Sequence, residues 1–255
     1  MIDSHTHLFL CDGPEADVVA AAAAAGVERM LTIGLDAETN PTAIAAAERY
    51  EGVFAAVGQH PNEATGFDDA TAAEIARLGA HAKVRAIGET GLDYYRDGAP
   101  REDQRRAFAA QAEIARELDL PIVIHARDPE SGTEAVDEIF ATLDARAGDQ
   151  PVILHCFSAP ARVEDAAARG WYCSFAGNVT YPSAEALREA AARVPANRIL
   201  VETDAPYLTP QVKRGTRNEP ANVVATAQLV AEVRGVSYDE LERTVEANAR
   251  ALFGW

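Results

Sequence analysis

Short runs rich in β-branched and apolar residues alternate along the whole chain with longer segments whose apolar positions recur at helical spacing. The runs fall at Met1–His5, Arg29–Leu35, Val53–Gln59, Val84–Glu89, Ile122–His125, Val152–His155, Tyr172–Ala176 and Ile199–Asp204. An Ala/Glu/Arg-rich helical segment follows each, at about 15–25, 40–50, 69–80, 101–118, 130–145, 160–168, 183–192 and 220–233, with another at about 237–251. Continuous apolar strands, ILV at 199–201 and PIVI at 121–124, indicate burial on both faces, as in a parallel sheet. Eight such units predict an α/β fold, a closed (β/α)8 barrel. An open doubly wound sheet would want a Gly-rich phosphate loop after an early strand, and neither GxGxxG nor a Walker A sequence occurs.

The length of 255 residues suits one barrel domain spanning 1–255, and no Ser/Gly- or Pro-rich linker divides the chain. Hydrophobic residues at 48% and charged ones at 25% exclude a disordered chain. The segment MIDSHTHLFL has no basic n-region, and the longest apolar run, Val18–Ala25, falls short of the ~20 residues that span a bilayer. The expectation is a cytoplasmic protein with no membrane association and no obligate protein partner. Cys11, Cys156 and Cys173 are widely spaced without a CxxC pair and read as reduced packing residues. The net charge of −17 excludes a broad basic groove for nucleic acid. It is read as a surface tuned for solubility, with some acidic groups left over to hold cations that reverse the local sign.

Candidate chemistry falls at the ends of the predicted strands. His5 and His7 close the first, Glu89 the fourth, His125 the fifth, His155 the sixth and Asp204 the eighth. In a barrel all carboxyl ends point to one mouth, so residues 200 positions apart converge. His5-Thr6-His7 puts two imidazoles on one face of an extended segment. Imidazole plus carboxylate without Cys suits Zn, Mn, Fe or Co and permits Mg, and six donors are too many for one open ion but suit two. The expected cofactors are therefore two divalent ions per chain, Mg, Mn or Zn. Glu89 is the natural bridge, because neither Lys83 nor Lys213 ends a strand, which leaves no carboxylated lysine for that place.

DSHTHL at 3–8, GETGLDYY at 88–95, IHARD at 124–128, HCFS at 155–158, ETDAPYL at 202–208 and RGTRNEP at 214–220 together resemble the TatD family of metal-dependent deoxyribonucleases. The resemblance covers nearly the whole chain in order. It implies a TIM barrel with His5, His7 and Asp204 on one ion, His125 and His155 on the other, and Glu89 between them. One departure is GQHP at 58–61, where similar proteins carry a small apolar residue in place of Gln59.

Around this core, His60 is expected either to touch a substrate phosphate or to cap its loop, while His81 is read as solvated. Arg96, Arg127, Arg214 and Arg217 lie near the mouth; Arg127 and Arg214 are candidate phosphate contacts, and Asn218 a candidate for sugar or phosphate oxygens. Tyr94, Tyr95 and Tyr207 are candidates for base stacking or for buried packing. The expected reaction is phosphodiester hydrolysis by a metal-activated water, with Asp204 as general base and Glu89 as the shared carboxylate. A cup-shaped mouth favours single-stranded DNA over duplex, and the resemblance implies 3′-to-5′ exonuclease action. The alternatives are an amidohydrolase or D-aminoacyl-tRNA deacylase acting on a carbonyl carbon, a phosphatase for a small ester, and a binding protein with a vestigial site.

Overall fold

The computed structural model describes residues 1–146, 148 and 150–255. Eight strands run in chain order: β1 (Ile2–Thr6), β2 (Arg29–Ile33), β3 (Val53–Val57), β4 (Val84–Asp93), β5 (Ile122–Arg127), β6 (Val152–Leu154), β7 (Tyr172–Phe175) and β8 (Ile199–Val201). Each pairs in parallel with the next, in the order β1 to β8. The edges meet where Thr6 bridges Ala205, the His7 amide donates to the Ala205 carbonyl (2.8 Å) and the Asp204 amide to the His5 carbonyl (2.9 Å). Buried Asp3 spans the same seam, accepting from the Thr203 amide (2.9 Å) and hydroxyl (2.6 Å). The predicted (β/α)8 barrel is the observed fold.

The helices are α1 (Glu15–Ala24), α2 (Thr39–Arg49), α3 (Asp69–Gly79), α4 (Arg101–Glu117), α5 (Glu134–Arg146), α6 (Val163–Ala168), α7 (Glu185–Arg193), α8 (Val223–Arg234) and α9 (Tyr238–Phe253). Their ends follow local chemistry. Asp68 caps α3 by accepting from the Thr71 amide, Ser237 caps α9 by accepting from the Glu240 amide, and Gly235 ends α8 at φ 67°. The expected segments at 160–168 and 220–233 each open instead with a 3-10 turn, Pro160–Arg162 and Pro220–Asn222. The segment expected from 130 begins only at Glu134, because Gly132 sits at φ 131°, outside helical backbone. No helix of the described residues is long and apolar enough to cross a membrane.

Two strand ends differ from expectation in a way that shapes the mouth. β4 continues four residues past Glu89, and β8 stops three residues before Asp204. The β4 extension depends on Gly91, at φ 139°, where a Cβ would collide with the His125 carbonyl oxygen of β5. Asp93 thereby reaches the same face as Glu89. Past β8 the chain turns at Asp204, which lies at φ 54°, a region of backbone space that Asp tolerates better than most residues.

Candidate metal centre

His5, His7, Glu89, His125, His155 and Asp204 converge at the carboxyl ends of the strands, as their positions in the sequence predict. The His5 and His7 Nε2 atoms lie 3.3 Å apart. Glu89 Oε2 is 3.3 Å from His5 Nε2, while Oε1 is 3.1 Å from His155 Nε2 and 2.7 Å from His125 Nδ1. Glu89 thus has one oxygen toward each pair of histidines. Asp204 Oδ1 faces His7 Nε2 at 3.5 Å and His5 Nε2 at 3.8 Å.

This crowd of donors is costly unless something positive lies among them. Glu89 is 2% exposed and His5 fully buried, yet His5 Nδ1 has no hydrogen-bond partner. Two imidazole nitrogens 3.3 Å apart can share only one proton, and in neutral rings the remaining lone pairs face one another or a carboxylate. Divalent cations fit this donor set. Three groups of donor atoms close enough for an ion occur among the described residues: His5, His7 and Glu89; His60, Glu89 and His125; and His5, His155 and Glu202.

Protonation follows the same crowding. Burial pushes the Glu89 carboxyl up, but the charge of His155 and the hydrogen bond from His125 help hold it well below the carboxylate range. Burial also raises Asp204, but the hydrogen bond with His7 together with the charges of the surrounding imidazoles, His155 first, lowers it on balance. Burial lowers His5, and His155 stacked at 3.7 Å adds to the effect, leaving a neutral ring. Burial lowers His155 too, but the charges of Glu202 and Glu89 carry it well above the usual imidazole value. A cation entering there takes the place of a proton.

Two carboxylates absent from the sequence reading hold the histidines from behind. Asp93 Oδ2 lies 3.2 Å from His125 Nε2, leaving Nδ1 turned to Glu89. Glu202, fully buried, lies 2.8 Å from His155 Nδ1 and accepts the Cys156 amide at 2.7 Å, leaving Nε2 turned inward. The two rings therefore present opposite nitrogens to the same carboxylate. The Ile33 carbonyl plays the corresponding part for His7 Nδ1, at 2.9 Å. Asp93 is itself anchored by the Tyr95 and Arg96 amides and by Asn62 Nδ2, all at 3.0 Å.

The remaining predicted residues divide. Of the two roles expected of His60, the structure displays the loop cap: Nδ1 accepts the Asn62 amide, while Nε2 stands 3.6 Å from Glu89 Oε1. Burial among these groups pushes its imidazole down to about 3. Arg127 and Arg214 are exposed, each stacked on a tyrosine: Arg127 on Tyr95 at 4.3 Å and Arg214 on Tyr181 at 4.7 Å. Asn218 does not stand where a substrate contact would. It is 1% exposed, and its amide donates to the Thr203 and Tyr207 carbonyls while its oxygen accepts from Glu219 and Asn222. It pins the loop that carries Asp204. Arg217 is turned away onto Asp12 and the Leu10 carbonyl, and Tyr94 is buried with its hydroxyl on Glu138. His81 lies beside Glu48 at the surface, and all three cysteines are free.

A family model described as TatD related DNase matches residues 2–254. The chain is 38% identical over 256 residues to a protein of Bacillus subtilis named uncharacterized metal-dependent hydrolase YabD, covering 99% of this chain and 98% of that one. It is 37% identical over 249 residues to a Cronobacter sakazakii protein named 3'-5' ssDNA/RNA exonuclease TatD, covering 95% and 92%. The crystal structure of YjjV, a TatD homolog from Escherichia coli, superposes with a TM-score of 0.90 at 28% identity, covering 100% of this chain and 98% of that one.

Proposed function

The chain belongs to the TatD family of metal-dependent hydrolases, and from that membership and the geometry of the mouth we propose that it removes nucleotides from the 3′ end of unpaired DNA or RNA. The observation that carries this reading is Glu89, a buried carboxylate with one oxygen toward His5 and the other toward His125 and His155. His5, His7 and Asp204 would hold one divalent ion, His125 and His155 a second, and Glu89 would touch both. Such ions supply Lewis acidity at phosphate oxygens and lower the pKa of a water toward neutrality.

The chain's own groups do the rest. Asp204, held ionised beside His7 and reachable from the mouth, accepts the proton of the attacking water. His60, neutral because it is buried, has its Nδ1 occupied as an acceptor and so carries its proton on Nε2, from which it donates to a phosphate oxygen. Arg127 and Arg214, exposed at the rim, hold flanking phosphates. The site lies at the barrel's mouth, and on this reading a strand end enters it in preference to the internal phosphates of a duplex. A nuclease reading also accounts for a chain with a net charge of −17, because cations at the mouth replace a basic groove.

The test is to load the purified protein with Mg, Mn, Zn or Co and to supply single-stranded DNA, single-stranded RNA, blunt duplex and a panel of esters, lactones and cyclic amides. Shortening of the unpaired strands one nucleotide at a time from the 3′ end is expected, with blunt duplex cut more slowly. Carbonyl hydrolysis with no phosphodiester cleavage would overturn the proposal, as would equal rates on duplex and single strands.

A further inference from the structure

Large apolar side chains are exposed at three positions among the described residues, Tyr95, Tyr207 and Val212. Tyr95 follows β4 by two residues, and Tyr207 and Val212 lie on the loop after β8, so all three belong to the mouth. They form no contiguous patch, but the two aromatic ones among them both stand at the end of the barrel that carries the site. The two tyrosines are also firmly based. The Tyr95 amide donates to the Asp93 carboxylate at 3.0 Å, and the Tyr207 amide to the Asp204 carbonyl at 2.8 Å, while the Tyr207 carbonyl accepts from Asn218 at 2.7 Å. Each ring is about half exposed, at 49% and 52%, on backbone tied directly to a carboxylate residue of the site.

Their placement around the barrel gives them meaning. With the strands ordered β1 to β8 and the seam between β8 and β1, β4 and β8 are four strands apart by either route. Tyr95 and Tyr207 therefore stand on opposite rims with the histidine and carboxylate cluster between them. The Tyr207 ring is edge-on to His7 with centroids 6.4 Å apart, and Tyr95 carries Arg127 at 4.3 Å, with no acidic partner in salt-bridge range of that guanidinium among the described residues. A ring and a cation together suit a nucleotide, which has a flat face and a negative phosphate.

We propose that Tyr95, backed by Arg127, and Tyr207 are two base-stacking platforms that hold consecutive nucleotides of one unpaired strand, so that the phosphodiester between them lies over the Glu89 cluster. The inference rests on the nuclease reading above and specifies its substrate as a strand with a base on each side of the scissile bond. Stacking needs a flat ring and no hydrogen-bond code, so recognition is indifferent to base identity. It also explains how an acidic protein grips a strand without a basic groove.

The test compares kcat/KM for 3′ shortening of a short oligothymidylate with that of the same strand made abasic at its last or next-to-last nucleotide. The proteins are the metal-loaded wild type and the variants Tyr95→Ala, Tyr95→Phe, Tyr207→Ala and Tyr207→Phe. Each alanine variant is expected to lose roughly 5- to 100-fold on the intact strand, mainly in KM, and each phenylalanine variant to recover most of it. Each platform should also be blind to one abasic position, so that removing the ring and removing the base together cost no more than either alone. Alanine variants as active as wild type, or losses that add fully between ring and base at both positions, would overturn the platforms while leaving the nuclease reading intact. A loaded wild type that cuts no unpaired strand would remove both.

Discussion

The two ends of the barrel use buried polar groups in opposite ways. At the amino end the buried chain terminus is paired: the Met1 ammonium lies 2.9 Å from Glu242 and 3.1 Å from Glu246 of α9, and Asn248 of the same helix donates to the Ala196 and Ile199 carbonyls at 2.8 Å. Phe54, Phe253 and Trp255 close that end with ring centroids 4.5 and 5.0 Å apart. At the carboxyl end, nitrogens face nitrogens, His5 Nδ1 is buried without a partner, and Cys156 and Asp204 sit at positive φ. One end is closed by packed rings around a paired terminus, with Trp255 Nε1 its one unpartnered buried donor among these groups, whereas the other gathers facing nitrogens and carboxylates on left-handed backbone where a cation fits.

The largest effect expected from breaking this contrast is at the stable end. Phe253→Ala should lower unfolding free energy by about 3–5 kcal/mol, because it empties space that Trp255 and the barrel floor cannot refill. Turnover per folded molecule should stay near wild type. Denaturant unfolding and a single-turnover assay on the same samples check both parts, and an equal loss of turnover would show that the ends are coupled.

At the mouth the order reverses. Asp204→Asn keeps the shape and one ligating oxygen but cannot accept a proton, so turnover should fall by about 10² or more with the fold unchanged. Bound metal quantified alongside single-turnover cleavage separates the cases. Near-normal turnover with metal retained would remove Asp204 as the base.

Much of this division was legible in the sequence, because strand ends are where a barrel puts chemistry, and polar residues closing apolar runs are visible without coordinates. Asp93 escaped because GETGLD reads as a broken strand: two glycines in four residues signal a turn, whereas Gly91 is there to let β4 pass close to the His125 carbonyl. Glu202 stood in plain view two residues before Asp204, but its partner, His155, is 47 positions away. Asn218 was misread for the same reason. An Asn in a loop beside arginines suggests a substrate contact, and only the fold reveals that its amide is already bonded to residues 203 and 207.

Those overlooked carboxylates give a finer test of the mouth. Asp93→Asn and Glu202→Gln keep size but weaken the hold on His125 and His155, and each should lower divalent-metal affinity by roughly 10- to 100-fold without unfolding the chain. Titration calorimetry with Mn on metal-free protein reads this directly, and unchanged affinity in both variants would mean that the rings are set by packing alone. A smaller effect is expected at the rim. Arg214→Ala should raise KM for single-stranded DNA several-fold and make the salt dependence shallower by about one phosphate contact. A variant with unaltered KM and salt slope would leave Arg214 as a partner of Tyr181 only.

The account turns most directly on how many ions the mouth holds. Metal-free protein titrated with Mn, with bound metal measured per folded chain, is predicted to take up two equivalents. Saturation at one equivalent, even with excess Mn, Mg or Zn, would contradict the shared-carboxylate arrangement around Glu89.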